Sequence, residues 1–435
     1  MRRLVLSGAV AVLAASPGAG APAPPGAPAP ILLKAARVFT STSEAPIAPG
    51  AVLVEGERIA AVGESVAVPP GARVIDLGDA TLLPGFIDAH VHLSTQMSDD
   101  WFRDFYHSIL RFPAEQALYA ASYARATVEA GFTTVRDLGS SDYVALGLRN
   151  AIDAGVVEGP RMLVCNYAIG STGGHGDQAP FPPQLVTPAG PIRGVCNGPD
   201  ECRAAVRYQV KYGADVVKFM PSGGVLSLSD PVDVPELTQA EMDAIVAEAH
   251  AWHRKAAAHC HGNAAARMAI EAGADSIEHG SFLEDDTLEL MKAKGVYLVP
   301  TLFAGEWVGE KAGGYPPAIA AKARAAAARM QQMFQHAVKI GVKIAFGTDS
   351  GVEPHGLDAR EFALMVKNGM APARALLAAT RDAADLLGVG DSRGTLEPGK
   401  LADVVGVPGD PRQDIDVTER VSFVMKGGRI LKSGR

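Results

Sequence analysis

Between residues 85 and 393, short apolar runs alternate eight times with longer segments of helical character. The runs are FIDAHVHL (86–93), TTVRDLG (133–139), RMLVCNYAI (161–169), DVVKFM (215–220), KAAAHC (255–260), DSIEHG (275–280), VYLVPTL (296–302) and VKIAFGTD (342–349). Eight strand–helix units point to an α/β chain closed into a distorted (β/α)8 TIM barrel. The alternative, an open doubly wound sheet, normally carries a glycine-rich nucleotide turn near its start, and none is present. The helical segments carry their own signals. Thr238 and Glu241 fit a capping box, with Met242, Ile245, Val246 and Ala249 along one face. Residues 317–339 read as an Ala-rich helix with Met330, Met333, Phe334 and Ala337 inward, and Pro372 suits the first turn of a helix over 373–387.

The two ends of the chain differ from its middle. Short alternating runs over 31–77 are separated by turns bearing Pro and Gly, and the same style returns after residue 400. Neither end holds enough strands for a stable sandwich, so 31–84 and 394–435 are expected to form one β-sandwich domain, with 85–393 as the barrel. Arg2 and Arg3, the apolar stretch 4–15 and the small residues Ala19 and Ala21 read as a signal peptide over 1–21, with 22–30 as a leader. The expected location is therefore periplasmic or secreted, with no membrane attachment after cleavage. The net charge of −8 and the lack of a basic block give no support for nucleic-acid binding. In an exported chain Cys196 and Cys202, six residues apart in a loop, are candidates for a disulfide.

Ionisable residues collect near the C-terminal ends of the runs, where a barrel places its active site. His90 and His92 lie two apart and share one side of a strand. Lys218, His259, His279 and Asp349 sit at the ends of later strands. Such a set of N and O donors suits divalent cations. A buried lysine tends to lose its proton. Its neutral amine can add carbon dioxide as a carbamate, which would bridge two cations; pairing with a carboxylate or snorkelling is the plain alternative.

GFIDAHVH, DVVKFM, AAHCHG, SIEHG and FGTDSG together resemble the amidohydrolase superfamily, in its binuclear form with a carboxylated lysine. TGGHGD (172–177), SGGVLS (222–227) and DSGVEPHG (349–356) narrow the resemblance to the imidazolonepropionase-like and Xaa-Pro dipeptidase-like group, which includes ochratoxin-hydrolysing amidases. The resemblance implies that His90, His92 and Asp349 bind one metal, His259 and His279 the other, and Lys218 both. It implies Zn2+ as the usual ion and a homo-oligomer. Cys260 replaces a small residue between His259 and His261, and alternation turns it away from the metals.

The expected reaction is hydrolysis of a small amide or peptide substrate, releasing a C-terminal amino acid from a dipeptide or N-acyl amino acid, with Asp349 as the catalytic proton carrier. His175, in the long Gly- and Pro-rich loop 170–199, either donates a hydrogen bond to the carbonyl oxygen or faces solvent. His261 and His355 are candidates to contact the substrate. Arg136 either holds a substrate carboxylate or pairs with Asp137 or Asp88. Ser222, Gly223, Gly224 and Val225 offer backbone donors after Lys218. Cyclic amides or esters are alternative substrates, and a non-catalytic metal-binding protein is the alternative from another class.

Overall fold

The structure, a computed structural model, describes residues 29–177, 182, 184, 187–228 and 230–434. The expected signal peptide lies outside the described residues. The first strands are β1 (Ile31–Ala35), β2 (Arg37–Val38), β3 (Gly50–Glu55), β4 (Arg58–Gly63), β5 (Arg73–Asp76) and β6 (Ala80–Pro84). The alternating region supplies β7 (Phe86–Val91), β8 (Phe132–Asp137), β9 (Arg161–Val164), β10 (Val216–Phe219), β11 (Lys255–Cys260), β12 (Ser276–His279), β13 (Tyr297–Val299) and β14 (Lys343–Ile344). The chain ends with β15 (Val404–Pro408), β16 (Phe423–Lys426) and β17 (Arg429–Ser433).

Both ends of the chain build the terminal sheets. One runs β4-β3-β1-β5; the other runs β17-β16-β15-β6-β2, so β6 pairs antiparallel with β15 across more than three hundred residues of sequence. Leu33, Val52 and Ile59 from the first sheet share one buried cluster with Leu82, Val404, Phe423 and Met425 from the second. Burying these side chains between sheets is what neither end could do alone.

The eight middle strands are parallel. β7-β8-β9 form one sheet and β10 to β14 another, in sequence order. Backbone bonds continue across the gaps: Ile169 N donates to Lys218 O at 2.9 Å, and Ala89 N donates to Phe346 O at 2.9 Å. β7, β8, β10 and β12 are buried along their whole lengths, as strands covered on both faces must be. The rings of Phe86, Phe132, Phe346 and Phe362 meet at centroid distances of 4.5–5.5 Å.

Three strands are shorter than their apolar runs suggest, at four, three and two residues for β9, β13 and β14. After β9 and β13 the backbone turns through a left-handed residue, Asn166 (φ 64°) and Thr301 (φ 49°), and after β14 Phe346 N turns to Ala378 O at 3.0 Å. The helix expected over 373–387 is also interrupted, by a wide turn at Ala378–Asp382. There the Thr380 hydroxyl bonds back to Leu376 O at 2.6 Å. By contrast Gln239–Ala251 carries both halves of its capping box, and Pro317–Ile340 buries Met330, Met333, Phe334 and Ala337.

The helix Leu302–Lys311 has no side-chain cap of its own. Glu361 supplies it, accepting from Leu302 N at 3.0 Å and Phe303 N at 2.7 Å. Burial pushes the Glu361 carboxyl up to about 8, against the pull of those two N–H groups. From the ordinary value of 4.5 up to about 8, the folded chain holds a proton that the unfolded chain has released. This group therefore makes stability fall as pH rises through that window. Glu361→Gln is expected to flatten the dependence of the urea midpoint on pH between about 5 and 8; parallel wild-type and variant curves would show that the carboxyl is ionised throughout.

Candidate metal centre

The strand ends bring two groups of ligand-capable side chains together. His90, His92 and Asp349 form one, and His259, His261 and His279 the other; within each, the ligand atoms lie within 4.8 Å of one another. The groups touch, with the His90 and His279 ring centroids 4.9 Å apart. Lys218 Nζ is 3.3 Å from His90 Nε2. It lines the same cavity as His259 and His279. All seven side chains line one cavity of about 180 Å³.

Four imidazoles are fixed through Nδ1. His90 meets Glu278 Oε2 at 2.9 Å, His92 meets Gly139 O at 3.0 Å, His279 meets Thr301 Oγ1 at 2.8 Å, and His261 meets Ser281 Oγ at 2.8 Å. Anchoring one ring nitrogen orients the other, as metal-binding histidines require. His90 Nε2 and His92 Nε2 converge on Asp349 Oδ1 at 3.3 and 3.1 Å. His259 Nε2 is buried with no protein partner among the described residues. The donor set and this orphaned nitrogen fit divalent cations.

Burial dominates the electrostatics. It lowers His90 to about 4, with Lys218 adding to the effect, and drives His259 and His279 well below the usual histidine value. The rings are therefore neutral donors at neutral pH. Lys218 is lowered by the same cause, against the pull of Glu278 and Asp349. Burial works to raise Asp349, but His90 and His92 hold it below the ordinary carboxylate value.

Other expectations divide. His175 and Val225 line the cavity, and the His175 ring packs 4.4 Å from that of His259. His261, expected as a substrate contact, lines the cavity and also groups with His259 and His279. Arg136 does not reach the cavity. It is buried, bonded to Ala89 O at 2.6 Å, Ser276 Oγ at 3.2 Å and Glu278 Oε1 at 2.9 Å, so its charge is paired inside the protein. His355 is also turned away, stacked on Tyr123 with Nε2 2.8 Å from Thr95 O. Ser222, Gly223 and Gly224 lie behind the wall. Ser222 Oγ accepts from His261 N at 2.9 Å, and Gly224 N donates to Asp230 Oδ2 at 2.7 Å, so the Gly224 N–H is used within the protein. Cys260 packs in the main apolar cluster, away from the cavity. Cys196 and Cys202 form a disulfide with Cα atoms 5.0 Å apart. His336 bonds to Asp285 at 2.7 Å, far from the site in role.

Sequence reasoning missed Glu278. Alternation places it opposite its neighbour His279 on a strand. The left-handed backbone at His279 (φ 68°) breaks that rule, so both side chains serve the same centre.

Parallel strands carrying imidazoles and a carboxylate at their C-terminal ends define an amidohydrolase-type fold with mixed α/β content. The amidohydrolase family pattern matches residues 81–431, and the chain belongs to that family. Ochratoxinase of Aspergillus niger is 34% identical over 372 residues, covering 81% of this chain and 75% of that enzyme. A crystal structure of a Xaa-Pro dipeptidase with methionine bound in its active site superposes with a TM-score of 0.90 at 38% identity, covering 93% of this chain and all of that one. Imidazolonepropionase of Pseudomonas putida is 26% identical over 362 residues, 77% of this chain and 80% of that protein.

Glu278 holds this centre from below. Burial works to raise its carboxyl, but Arg136 and His90 bring it down to about 2. Removing it leaves a buried guanidinium without a counter-charge. Glu278→Ala is expected to cost about 3–5 kcal/mol in urea unfolding of the metal-free protein. A loss below about 1 kcal/mol, the size of an exposed pair, would show that Arg136 finds water or another partner.

Proposed function

We propose that the chain is a binuclear metal-dependent amide hydrolase that releases C-terminal amino acids from dipeptides or N-acyl amino acids. The observation that carries this reading is the pair of ligand groups meeting at Lys218 in one cavity. The eight parallel strands are read as one distorted (β/α)8 barrel, and 31–84 with 394–435 as its companion sandwich. The Cys196–Cys202 disulfide supports an oxidising, extracytoplasmic location.

His90, His92 and Asp349 would hold one cation, and His259 and His279 the other, with His261 at their side. Divalent cations bound there supply a hydroxide at neutral pH and a Lewis acid for the scissile carbonyl. Burial lowers Lys218 and so favours loss of its proton; the neutral amine attacks carbon dioxide through its nitrogen lone pair, a C–N bond forms, a proton leaves, and the resulting carbamate carries one negative charge on two oxygens. This anion offsets the charge of a metal pair. Asp349, held ionised by its two histidines, accepts the proton of the nucleophile and passes it to the departing amine, which amide cleavage requires. Met220, Val225, Leu226, Val308 and Met330 make much of the remaining cavity lining apolar, which suits a substrate with an apolar side group.

The likeness to ochratoxinase and to a Xaa-Pro dipeptidase supports linear amides; the weaker likeness to imidazolonepropionase keeps cyclic amides as the second reading. The test is amino-acid release from a panel of dipeptides and N-acyl amino acids by zinc-loaded protein. Wild type should release, chelation should abolish release, and Asp349→Asn should lower kcat by about 10²–10⁴. No release from any linear amide, with two metals per chain confirmed, would overturn the peptidase reading in favour of ring substrates.

A further inference from the structure

Two helices meet at the apolar side of the cavity, and glycines mark where they meet. Gly305 and Gly309 lie four apart on the helix Leu302–Lys311, and so on one face. Glycine is a poor helix former, so a glycine inside a helix calls for a steric reason. Both have one in the helix Pro317–Ile340. A Cβ at Gly309 would stand 2.7 Å from Ala327 Cβ, and one at Gly305 would stand 2.4 Å from Met330 Sδ. The two collisions differ in kind. Ala327 Cβ is fixed to its backbone, so Gly309 serves helix packing. Met330 is long, unbranched and able to change shape, and both it and Gly305 line the cavity.

The neighbouring walls have less freedom. Lys322, Ala326 and Met330 recur at intervals of four and share one face of their helix. Lys322 donates to Gly224 O at 2.7 Å, Ser227 O at 2.7 Å and Asp230 O at 2.9 Å, which holds the segment carrying Val225 and Leu226 to this helix. Val225 shares an apolar cluster with Val308, Ala323 and Ala326. Branched valines are stiff, and alanine has no rotamer to change. Met330 can adjust, and the space left by the missing side chain of Gly305 is what accommodates its sulfur. A methyl at 305 would drive the sulfur away by about an ångström or more before ordinary contact is regained. Protein interiors are close-packed, so the open direction is the cavity. We infer that Met330, seated over Gly305, sets how large an apolar side group of the substrate the cavity admits.

The inference rests on the hydrolase reading for the nature of the ligand, so turnover and binding are measured separately. Zinc-loaded wild type, Gly305→Ala, Met330→Ala and the double variant are given N-acetylalanine, N-acetylleucine and N-acetylphenylalanine. Amino-acid release gives KM and kcat, and calorimetry on the same proteins carrying Asp349→Asn gives Kd. Gly305→Ala is expected to weaken the phenylalanine compound relative to the alanine compound by about tenfold or more. Met330→Ala should move that ratio the other way. In the double variant the effect of Gly305→Ala should vanish, because the side chain it displaces is gone; a merely structural role would leave the two effects additive. Gly309→Ala, the packing control, should leave the ratio unchanged. Should Gly305→Ala not fold, Met330→Ala and Met330→Phe carry the test, the first admitting larger groups and the second excluding them. An unchanged ratio with turnover intact overturns the inference and leaves the hydrolase reading standing. A ratio that shifts as stated in binding, with no amino acid released, upholds the inference and counts against that reading. A series that is neither bound nor cleaved overturns both.

Discussion

The site depends on keeping buried basic groups from charging one another. His90, His259, His261 and His279 are each at most 5% exposed, and Lys218 is 1% exposed. Several cations this close, away from water, would repel strongly. The four rings escape by staying neutral. Arg136 cannot, because its guanidinium does not give up a proton inside a protein. Glu278 solves this locally: one carboxylate oxygen takes the guanidinium and the other takes His90 Nδ1. The charge of Arg136 is therefore cancelled before it reaches the imidazoles, while its pairing still fixes the tautomer of His90.

How much of this was legible in the sequence follows from which rules the backbone obeys. His90 lies in β7 and His92 just past its end, still two residues apart, and both Nε2 atoms reach Asp349 as a period of two suggests. Lys218 and His259 also end regular strands. Glu278 was invisible because His279 is left-handed and alternation fails at that step. Arg136, left open between a substrate carboxylate and a pair with Asp137 or Asp88, and His355, a candidate substrate contact, were singled out from their positions at a strand end and in a glycine-rich loop. Their partners, Glu278 and Tyr123, come from distant segments that no local pattern connects to them. The long Ala-rich helix was legible because its apolar spacing is uninterrupted over many turns; the helix over 373–387 was legible too, except for its wide turn at Ala378–Asp382, which no residue spacing announces.

Several residues around the centre serve two demands at once. Thr301 starts the helix Leu302–Lys311, where a threonine would ordinarily cap with its hydroxyl. That hydroxyl instead holds His279 Nδ1. The helix still needs its first N–H groups satisfied, and Glu361 arrives from the helix Arg360–Lys367 to do so. Ordering His279 thus reorganises the capping of the helix that forms one apolar wall of the cavity. Backbone strain at Thr301, His279 and Asp349 belongs to the same pattern, since left-handed non-glycine residues persist where surrounding bonds over-determine them.

The terminal sheets are part of this determination. Gly85 is the only residue between β6 and β7, so the pairing of β6 sets where His90 and His92 fall. β6 is held in register with β15, Leu83 opposite Val405 and Pro84 opposite Val404. Asp403, the residue before β15, locks the junction: its backbone oxygen accepts from Gly85 N at 2.8 Å, and its carboxylate accepts from Gly427 N at 2.7 Å and from Arg161 at 3.2 Å. Arg161 opens β9. One aspartate therefore ties the C-terminal segment both to the strand that delivers the first two histidines and to the parallel sheet they belong to. A one-residue slip of β6 would exchange its faces. With so short a link to β7, that slip would carry His90 away from Glu278 and Asp349. The distant end of the chain is a condition for the geometry of the site, even though it supplies none of its ligands.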